Sequence, residues 1–403
     1  MNYFKINPIY SIIDIGTTKI IVIIAEIINN EISILGIGIS CSHGLEKGMV
    51  VDIEKTSQSI KKALDEAIFQ AHIIPEYITI GISGNHIKSY FSQGMIAISA
   101  QGITEQTIEH VLLSSQSIVL PDDEKIIHSI PISFIIDGYN IVKSPLGMHG
   151  IRLEINTHII TANKNAIEDI IESCKRLGLK IKDIVLEPIA SAEAILNEEE
   201  KTFGSLLIDI GGGTSDVALY KNNSLELIEI ISIGGVLFTN DISICLNCNQ
   251  KNAEEIKKKY GLCHINNDNY EDVTVKSFDM ETQINTTSSL IHNILYARSE
   301  ELILQIISLI NNYNYNYHLP SGIILTGGGS LLKGLPEMLS KYTGIRCRIG
   351  YPLLANNQYP ILKNPIFATA YGLLLYERQH DDRFFKNENS LFHKFKNWIE
   401  KFI

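Results

Sequence analysis

The chain lacks two features that would place it in a membrane or on nucleic acid. Among its 403 residues, no apolar stretch approaches the roughly 20 residues that a transmembrane helix needs, and no charged segment followed by an apolar one begins the sequence. We therefore expect neither a secretion signal nor a membrane span. Lysine and arginine number 34 against 45 acidic residues, giving a net charge of −11. This acidic balance argues against a nucleic-acid-binding surface.

Cysteine is also scarce, and its positions do not form a disulfide framework. The scatter is typical of reduced thiols in a cytoplasmic protein, with cysteines at Cys41, Cys174, Cys245, Cys248, Cys263 and Cys347. The spacing of Cys245 and Cys248, with His264 downstream, resembles an incomplete zinc pattern. No second pair completes it. We favour the alternative that Phe238, Ile242 and Cys245 form one apolar face of a short helix.

What the chain does contain is a repeated loop. Residues 12–19 and 207–216 each run from an apolar segment through an aspartate, Asp14 or Asp209, into glycine and hydroxyl residues. A third glycine-rich segment, 322–330, leads from an apolar run into a helical pattern. Glycine can adopt positive φ, so consecutive amides can converge on an anion. Aspartate can hold the magnesium that neutralises a phosphate. Together the segments predict a cleft that grips one nucleotide's phosphates from two sides.

These loops supply most of the predicted binding residues. We expect Asp14 and Asp209 to hold magnesium through its waters; the alternative is that both cap turns as Asx residues. Threonine hydroxyls can donate to phosphate oxygens, and Lys19 either adds a cation or is a solvated side chain. The predicted nucleotide-contacting set is Asp14, Gly16, Thr17, Thr18, Lys19, Asp209, Gly211, Gly212, Gly213, Thr214, Asp216, Gly327, Gly328 and Gly329.

Three further charged residues are candidates for the same site. Glu187 stands where a strand gives way to a helix, and a carboxylate there could orient the water that attacks a γ-phosphate. The alternative is an acidic residue interacting with a helix N-terminus. Glu254 and Lys257 lie on a polar helix over residues 252–260 and could reach ribose hydroxyls, or they belong to a solvated face.

The two halves of the chain repeat one order of elements. β-rich segments at 11–14, 19–28 and 31–40 precede a helix capped by Asp52, and the pattern recurs in strands at 205–209, 216–220 and 225–232 before a helix near 238–245. This predicts a duplicated α/β fold closed around one ligand. Between the halves, residues 84–162 form an inserted α+β block with strands at 91–99, 125–136 and 151–161. We expect its helix to present Ile108, Val111, Leu112 and Ile118 on one face.

The last residues predict a membrane-binding amphipathic helix joined by a polar linker over 379–389. One face of this helix is apolar and contains the sole tryptophan; its residues are Leu391, Phe392, Phe395, Trp398, Ile399 and Phe402. The opposite face is rich in lysine, with Lys394, Lys396 and Lys401. Such a helix suits the interface of an anionic membrane, and several tails in a polymer would bind through avidity. The alternative is a terminal helix packed on its own core.

The loops resemble those of the actin/Hsp70/sugar-kinase superfamily. Residues 14–19 and 209–216 match its two phosphate loops, 325–330 its adenosine motif, and 186–194 and 364–375 its connecting segments. Within the superfamily the chain is similar, over essentially its whole length, to the FtsA family of actin-like bacterial cell-division proteins. The inserted block, from residues 81–87 to 151–161, and the tryptophan-containing tail carry this closer resemblance.

The resemblance implies an actin-like, ribonuclease H-like ATPase fold that binds ATP and Mg²⁺. It implies ATP-dependent self-association, with weak ATPase activity at most, and an adaptor role on the cytoplasmic face of the inner membrane at the division site. There the chain would tether FtsZ filaments and recruit later divisome proteins. FtsZ's C-terminal peptide is expected on residues 238–301. An acidic residue is usual in this family where Tyr296 stands; if that acid helps to hold the nucleoside, the resemblance implies weaker ATP affinity in this chain.

The implied subdomains follow the same resemblance. Their boundaries are 1–83, 163–203 and 364–378 for subdomain 1A, 84–162 for the insertion 1C, 204–237 and 302–363 for 2A, 238–301 for 2B, 379–389 for the linker and 390–403 for the membrane helix. The competing interpretations are an actin-fold ATPase or sugar kinase, and a pilus-assembly ATPase-like scaffold. A chaperone would need a substrate-binding β domain after the core, and the rod-shape actin homologues lack the insertion.

Overall fold

A computed structural model describes residues 8–28, 31–264, 271–278, 282–312, 319–354 and 359–380. The membrane helix predicted over 390–403 lies outside these residues.

Within the described ranges, strands and helices follow one another as in an α/β protein. The strands are β1 (Ile9–Ile15), β2 (Lys19–Ile28), β3 (Glu31–Cys41), β4 (Leu45–Glu46), β5 (Met49–Val50), β6 (Tyr77–Ile82), β7 (Lys88–Ala97), β8 (Glu124–Ile136), β9 (Asn140–Val142), β10 (Arg152–Asn163), β11 (Lys180–Leu186), β12 (Ser205–Ile210), β13 (Ser215–Lys221), β14 (Ser224–Ile231), β15 (Asp272–Lys276), β16 (Gln283–Thr287), β17 (Ile323–Thr326) and β18 (Cys347–Ile349). The α-helices are α1 (Ile53–Ala71), α2 (Glu105–Gln116), α3 (Lys164–Lys175), α4 (Glu187–Ile195), α5 (Glu198–Phe203), α6 (Gly235–Cys245), α7 (Gln250–Tyr260), α8 (Ser288–Asn312), α9 (Leu335–Thr343) and α10 (Ala368–Gln379). Short 3₁₀ helices lie at Gly328–Leu331, Pro360–Leu362 and Pro365–Phe367.

The two halves of the chain build sheets of the same topology. The first sheet has the order β11-β6-β1-β2-β3 and the second the order β14-β13-β12-β17-β18. In each, the central strand, β1 or β12, pairs antiparallel with the next strand along the chain and parallel with a later one. Numbered within its own half, each sheet therefore reads 3-2-1-4-5. The predicted duplication is confirmed.

The first sheet is buried because helices cover both of its faces. Strand β2 is apolar along most of its length and buried from Ile20 to Ala25, as expected for a strand covered on both sides. Helix α1 begins after Asp52, whose carboxylate accepts from the Lys55 amide at 3.0 Å, as predicted. A Cβ on Gly38 of β3 would overlap the carbonyl oxygen of Ala63, so glycine lets α1 lie directly on the sheet.

The inserted block is an antiparallel sheet, β7-β10-β8-β9, packed against α2. Its own small core includes Ile108 and Val111 of α2 against Phe134 and Leu153 of the sheet. The prediction that Ile118 continues the apolar face of α2 is wrong, because the helix ends at Gln116 and the chain turns at Ser117.

The short helix α6 also departs from the sequence prediction. Phe238, Ile242 and the following Leu246 are buried at a spacing of four residues, whereas Cys245 is exposed. The prediction that Cys245 lies on the buried face is therefore wrong by one helical position. Cys248 and Cys263 are buried in the core of the second half. Within the described residues, none of the helices combines the length and the apolar character that spanning a bilayer requires.

Candidate functional site

The two repeated loops face each other across the cleft between the halves. Each follows the central strand of its sheet, β1 or β12, and the two loops are in contact. A Cβ on Gly212 would lie 2.5 Å from Thr18 Oγ1, and one on Gly213 would lie 2.5 Å from Thr17 Oγ1 and 2.9 Å from the Lys47 Cα. Glycine at these positions therefore lets the two loops contact each other without a side chain between them.

Carboxyl groups from both halves gather behind these loops. Asp14, Asp209 and Asp216 are buried, and Glu187 lies close enough to all three for their charges to raise its pKa. Burial is the largest cause of that increase. Lys19 Nζ lies 3.2 Å from Asp14 Oδ2 and donates to the Ile366 carbonyl oxygen at 2.6 Å. The site thus concentrates four carboxyl groups in a desolvated place.

Asp209 is held by hydroxyl groups of α4 and α10, two helices that pack on each other and on strands of the first sheet. Ser191 Oγ donates to Asp209 Oδ2 at 2.5 Å and Thr369 Oγ1 donates to the same oxygen at 3.1 Å. Ser191 lies on α4 and Thr369 on α10, whereas Asp209 ends the central strand of the second sheet. Burial raises the pKa of Asp209, and these hydrogen bonds oppose the increase. The same carboxylate therefore links the two halves at the base of the cleft.

Asp216 makes a second link between the halves. Ser83 Oγ donates to its Oδ2 at 2.6 Å, and within the described part of the chain its Oδ1 has no hydrogen-bond partner. Burial raises the pKa of Asp216 to about 7. An oxygen that is buried and unpartnered carries an uncompensated desolvation cost, and a cation or its bound water would relieve that cost.

The third loop packs against the second. Gly327 has φ +77°, and a Cβ there would overlap Asp209 Oδ1. Gly328 is less constrained, since the atom nearest to its added Cβ would be Ile366 Cγ1 at 3.8 Å. The structure therefore places residues 327–329 on the Asp209 side of the cleft.

Glu254 and Lys257 lie behind the second loop and bind each other. Lys257 Nζ lies 2.7 Å from Glu254 Oε2 and donates to the Gly235 carbonyl oxygen at 2.9 Å. The Gly235 amide in turn donates to the Gly211 carbonyl oxygen at 2.9 Å. Burial lowers the pKa of Lys257 in spite of its acidic partner. Their proposed contact with ribose stays a prediction.

The hydroxyl groups that hold the aspartates, on Ser83, Ser191 and Thr369, are not among the residues predicted from sequence. Ser83 follows β6, which runs parallel to β1, and carboxyl ends of parallel strands meet at one edge of a sheet, so topology could have indicated it. Ser191 lies one helical turn after Glu187 on α4. Thr369 is 160 residues from Asp209 and carries no local signal. Among the described residues, no group of three or more His, Cys, Asp or Glu side chains is placed to hold a metal directly.

Two equivalent sheets whose first loops meet at a shared cleft define the actin-like class, and solved structures confirm the predicted fold. The chain is similar to the PilM-PilN type IV pilus biogenesis complex, with a TM-score of 0.67 and 19% identity, covering 91% of this chain and 97% of that one. It is also similar to Spiroplasma citri MreB5 bound to ADP, with a TM-score of 0.58 and 14% identity, covering 94% of this chain and 99% of that one.

Sequence comparisons then define the family. The model described as cell division protein FtsA matches residues 206–372, and that of the SHS2 domain inserted in FtsA matches residues 84–161. The Pseudomonas aeruginosa cell division protein FtsA is 35% identical over 370 residues, 91% of this chain and 88% of that protein. The Bacillus subtilis protein is 32% identical over 373 residues, 91% of this chain and 83% of that protein. The chain belongs to the FtsA family of cell division proteins.

Proposed function

We propose that the chain is an ATP-binding, actin-like cell-division protein that self-associates, tethers FtsZ filaments to the inner face of the cytoplasmic membrane and recruits later divisome proteins. ATP binding is supported by one observation: residues 14–19 contact residues 209–216, and carboxyl groups from both halves lie next to this contact. Membership of the FtsA family supports the role in division. MreB5, which shares the fold, is described as bound to ADP or AMPPNP.

Magnesium-ATP fits the chemistry of this cleft. Asp14, Asp209 and Asp216 are buried close together, and a divalent cation would compensate their charge and the unpartnered Asp216 Oδ1. We propose that Asp14 and Asp209 hold magnesium through its waters, since this ion keeps much of its hydration shell. The bound ion would supply charge neutralisation for the phosphates.

The remaining roles follow the loops. Thr17, Thr18 and Thr214 donate to phosphate oxygens, together with the amides of Gly212 and Gly213, and Lys19 adds positive charge. Gly16 and Gly211 shape the two loops, since their amides donate to the Lys19 and Thr214 carbonyl oxygens at 3.0 and 2.9 Å. Residues 327–329 lie toward adenosine, and Glu254 and Lys257 toward ribose. We propose Glu187 as the group that orients the attacking water. Because burial and its acidic neighbours favour its protonated form, little of the carboxylate that could act as a base is present, which suits slow hydrolysis at most.

The adaptor role rests on the family and on the tail. Residues 238–301 are the proposed site for the C-terminal peptide of FtsZ, and the proposed subdomain boundaries are those implied by the resemblance. Residues 390–403 are proposed to bind anionic membrane as an amphipathic helix. The alternatives are an actin-fold kinase or a pilus-assembly scaffold. The match of residues 84–161 to the domain inserted in FtsA favours the division role over a kinase.

Co-sedimentation with anionic liposomes and ATP tests the adaptor role. The full chain, a truncation ending at Asn389 and Trp398→Glu are compared, each with and without FtsZ. We expect the full chain alone to pellet and to carry FtsZ with it, because the other two lack the apolar anchor. If all three remain in the supernatant, the membrane-adaptor proposal is contradicted.

A further inference from the structure

A second cleft lies at the opposite end of the first sheet from the phosphate loops. Strand β2 begins at Lys19, beside Asp14, and ends at Ile28, near the start of β3 where Glu31 and Ile32 line this cleft. Its volume is about 520 Å³. Pockets that enclose small ligands have volumes of about 300–1,000 Å³, so it can accept several large side chains.

The floor of this cleft is apolar, and its remaining lining includes the charged residues Glu31, Glu193, Glu198, Lys201, Lys363 and Arg378. Leu196, Leu362 and Leu375 line it and are buried, whereas Leu353 also lines it and is 53% exposed. The backbone of Leu353 is fixed, since its amide donates to the Ala194 carbonyl oxygen at 2.8 Å. An exposed leucine leading to a buried apolar floor is suited to an apolar partner that can leave again.

The tail of this chain starts at the edge of the cleft. Tyr371, Leu375 and Arg378 line it at spacings of four and three residues, which is one face of α10, and Gln379 at the end of that helix lines it too. Residues 381–390 can span up to roughly 33 Å when extended. The apolar stripe that begins at Leu391 is therefore within reach of the cleft.

We propose that this cleft binds the apolar stripe of residues 391–402 when no membrane is available. The proposal rests on the membrane-anchoring part of the proposed function. The same side chains cannot lie in the cleft and in a bilayer at once, so the two sites compete. Docking lowers the apparent membrane affinity to the affinity of the free tail multiplied by the fraction of chains whose tail is free. The tail must then leave the cleft in order to bind a membrane.

The sole tryptophan, Trp398, lies in the stripe and reports its surroundings by fluorescence. Leu353→Glu places a charge at the exposed lip, where the fold tolerates it. Ile74→Glu, at a position that is 81% exposed and outside the cleft, is the matched control. Without liposomes, we expect wild type and control to show blue-shifted emission shielded from acrylamide. Leu353→Glu should shift the emission to the red, raise the quenching constant at least threefold and tighten liposome binding several-fold.

A second measurement avoids any dependence on the folding of one variant. A labelled peptide of residues 390–403 should bind the truncation ending at Asn389, and binding should weaken at least fivefold with Leu353→Glu. The proposal is overturned if Trp398 is as quenchable in wild type as in Leu353→Glu and the truncation does not bind the peptide; liposome binding by the full chain would then still support the anchor. If the tail docks but no form binds liposomes, cleft capture is supported and the anchoring proposal fails.

Discussion

The carboxyl groups of Asp216 and Glu187 make the nucleotide-free cleft sensitive to pH. Burial raises the pKa of Asp216 from 3.8 to about 7, so the folded chain keeps a proton that the unfolded chain loses. The free energy of unfolding of the nucleotide-free protein should therefore fall as pH rises from about 4 to 7. The slope is at most about 1.4 kcal/mol per pH unit for each such carboxyl group. Denaturant unfolding at several pH values measures it.

Asp216→Asn is the control for this prediction. It should reduce the fall in stability over the same range, because the amide does not titrate. Magnesium-ATP should stabilise wild type more at pH 8 than at pH 6, since the ion needs ionised carboxylates. If the free energy of unfolding of the nucleotide-free wild type rises steadily from pH 4 to 7, the raised pKa of Asp216 is contradicted.

The glycines of the second loop give a steric prediction. Gly213→Ala places a Cβ 2.5 Å from Thr17 Oγ1 and 2.9 Å from the Lys47 Cα, so the loops must separate. We expect ATP affinity to fall at least tenfold, which is about 1.4 kcal/mol. Ile74→Ala is the control, because this side chain is 81% exposed and lies outside both loops. Equal affinities for the two variants by calorimetry would show that the loops do not close on the nucleotide.

Helices α4 and α10 position the hydroxyl groups that hold Asp209. A Cβ on Gly372 of α10 would overlap the backbone carbonyl of Ala190 of α4, so Gly372→Ala must push the helices apart. We expect a loss of about 1–3 kcal/mol in the free energy of unfolding. ATP affinity should fall as well, because Ser191 and Thr369 move away from Asp209. Thermal unfolding and calorimetry measure the two effects.

Gly235→Ala is the control for this helix prediction. Gly235 is also helical, and the atoms nearest to its new Cβ lie at 3.6 Å, so the change should be neutral or stabilising in unfolding experiments. If Gly372→Ala leaves both stability and ATP affinity unchanged, contact between α4 and α10 does not position Asp209.

Elements with a strong local pattern could be predicted from sequence, and contacts between distant elements could not. The apolar runs of β1, β2 and β12 and the cap at Asp52 have signals within a few residues. The end of α2 was misplaced because Ile118 continues the apolar spacing, although the helix stops at Gln116. No local pattern shows that helices far apart in sequence converge on Asp209.

At the scale of the whole molecule, the duplication explains why one half alone has an incomplete site. Asp14 and Glu187 come from the first half and Asp209 and Asp216 from the second, and the halves meet through Ser83 and the hydroxyl groups on α4 and α10. The repeated loops predicted this convergence. The hydrogen bonds between the halves became evident only in three dimensions.

Calorimetric titration of ATP, in excess Mg²⁺ and in EDTA, tests most directly whether carboxylates from both halves hold one magnesium-nucleotide site. Wild type, Asp14→Asn and Asp209→Asn are compared at pH 8. We predict that wild type binds ATP at least tenfold more tightly with Mg²⁺, and that each variant loses most of this difference while binding like wild type in EDTA. If wild type binds ATP equally well in the two buffers and neither substitution changes the affinity, the proposal of one magnesium-nucleotide site shared by both halves is contradicted.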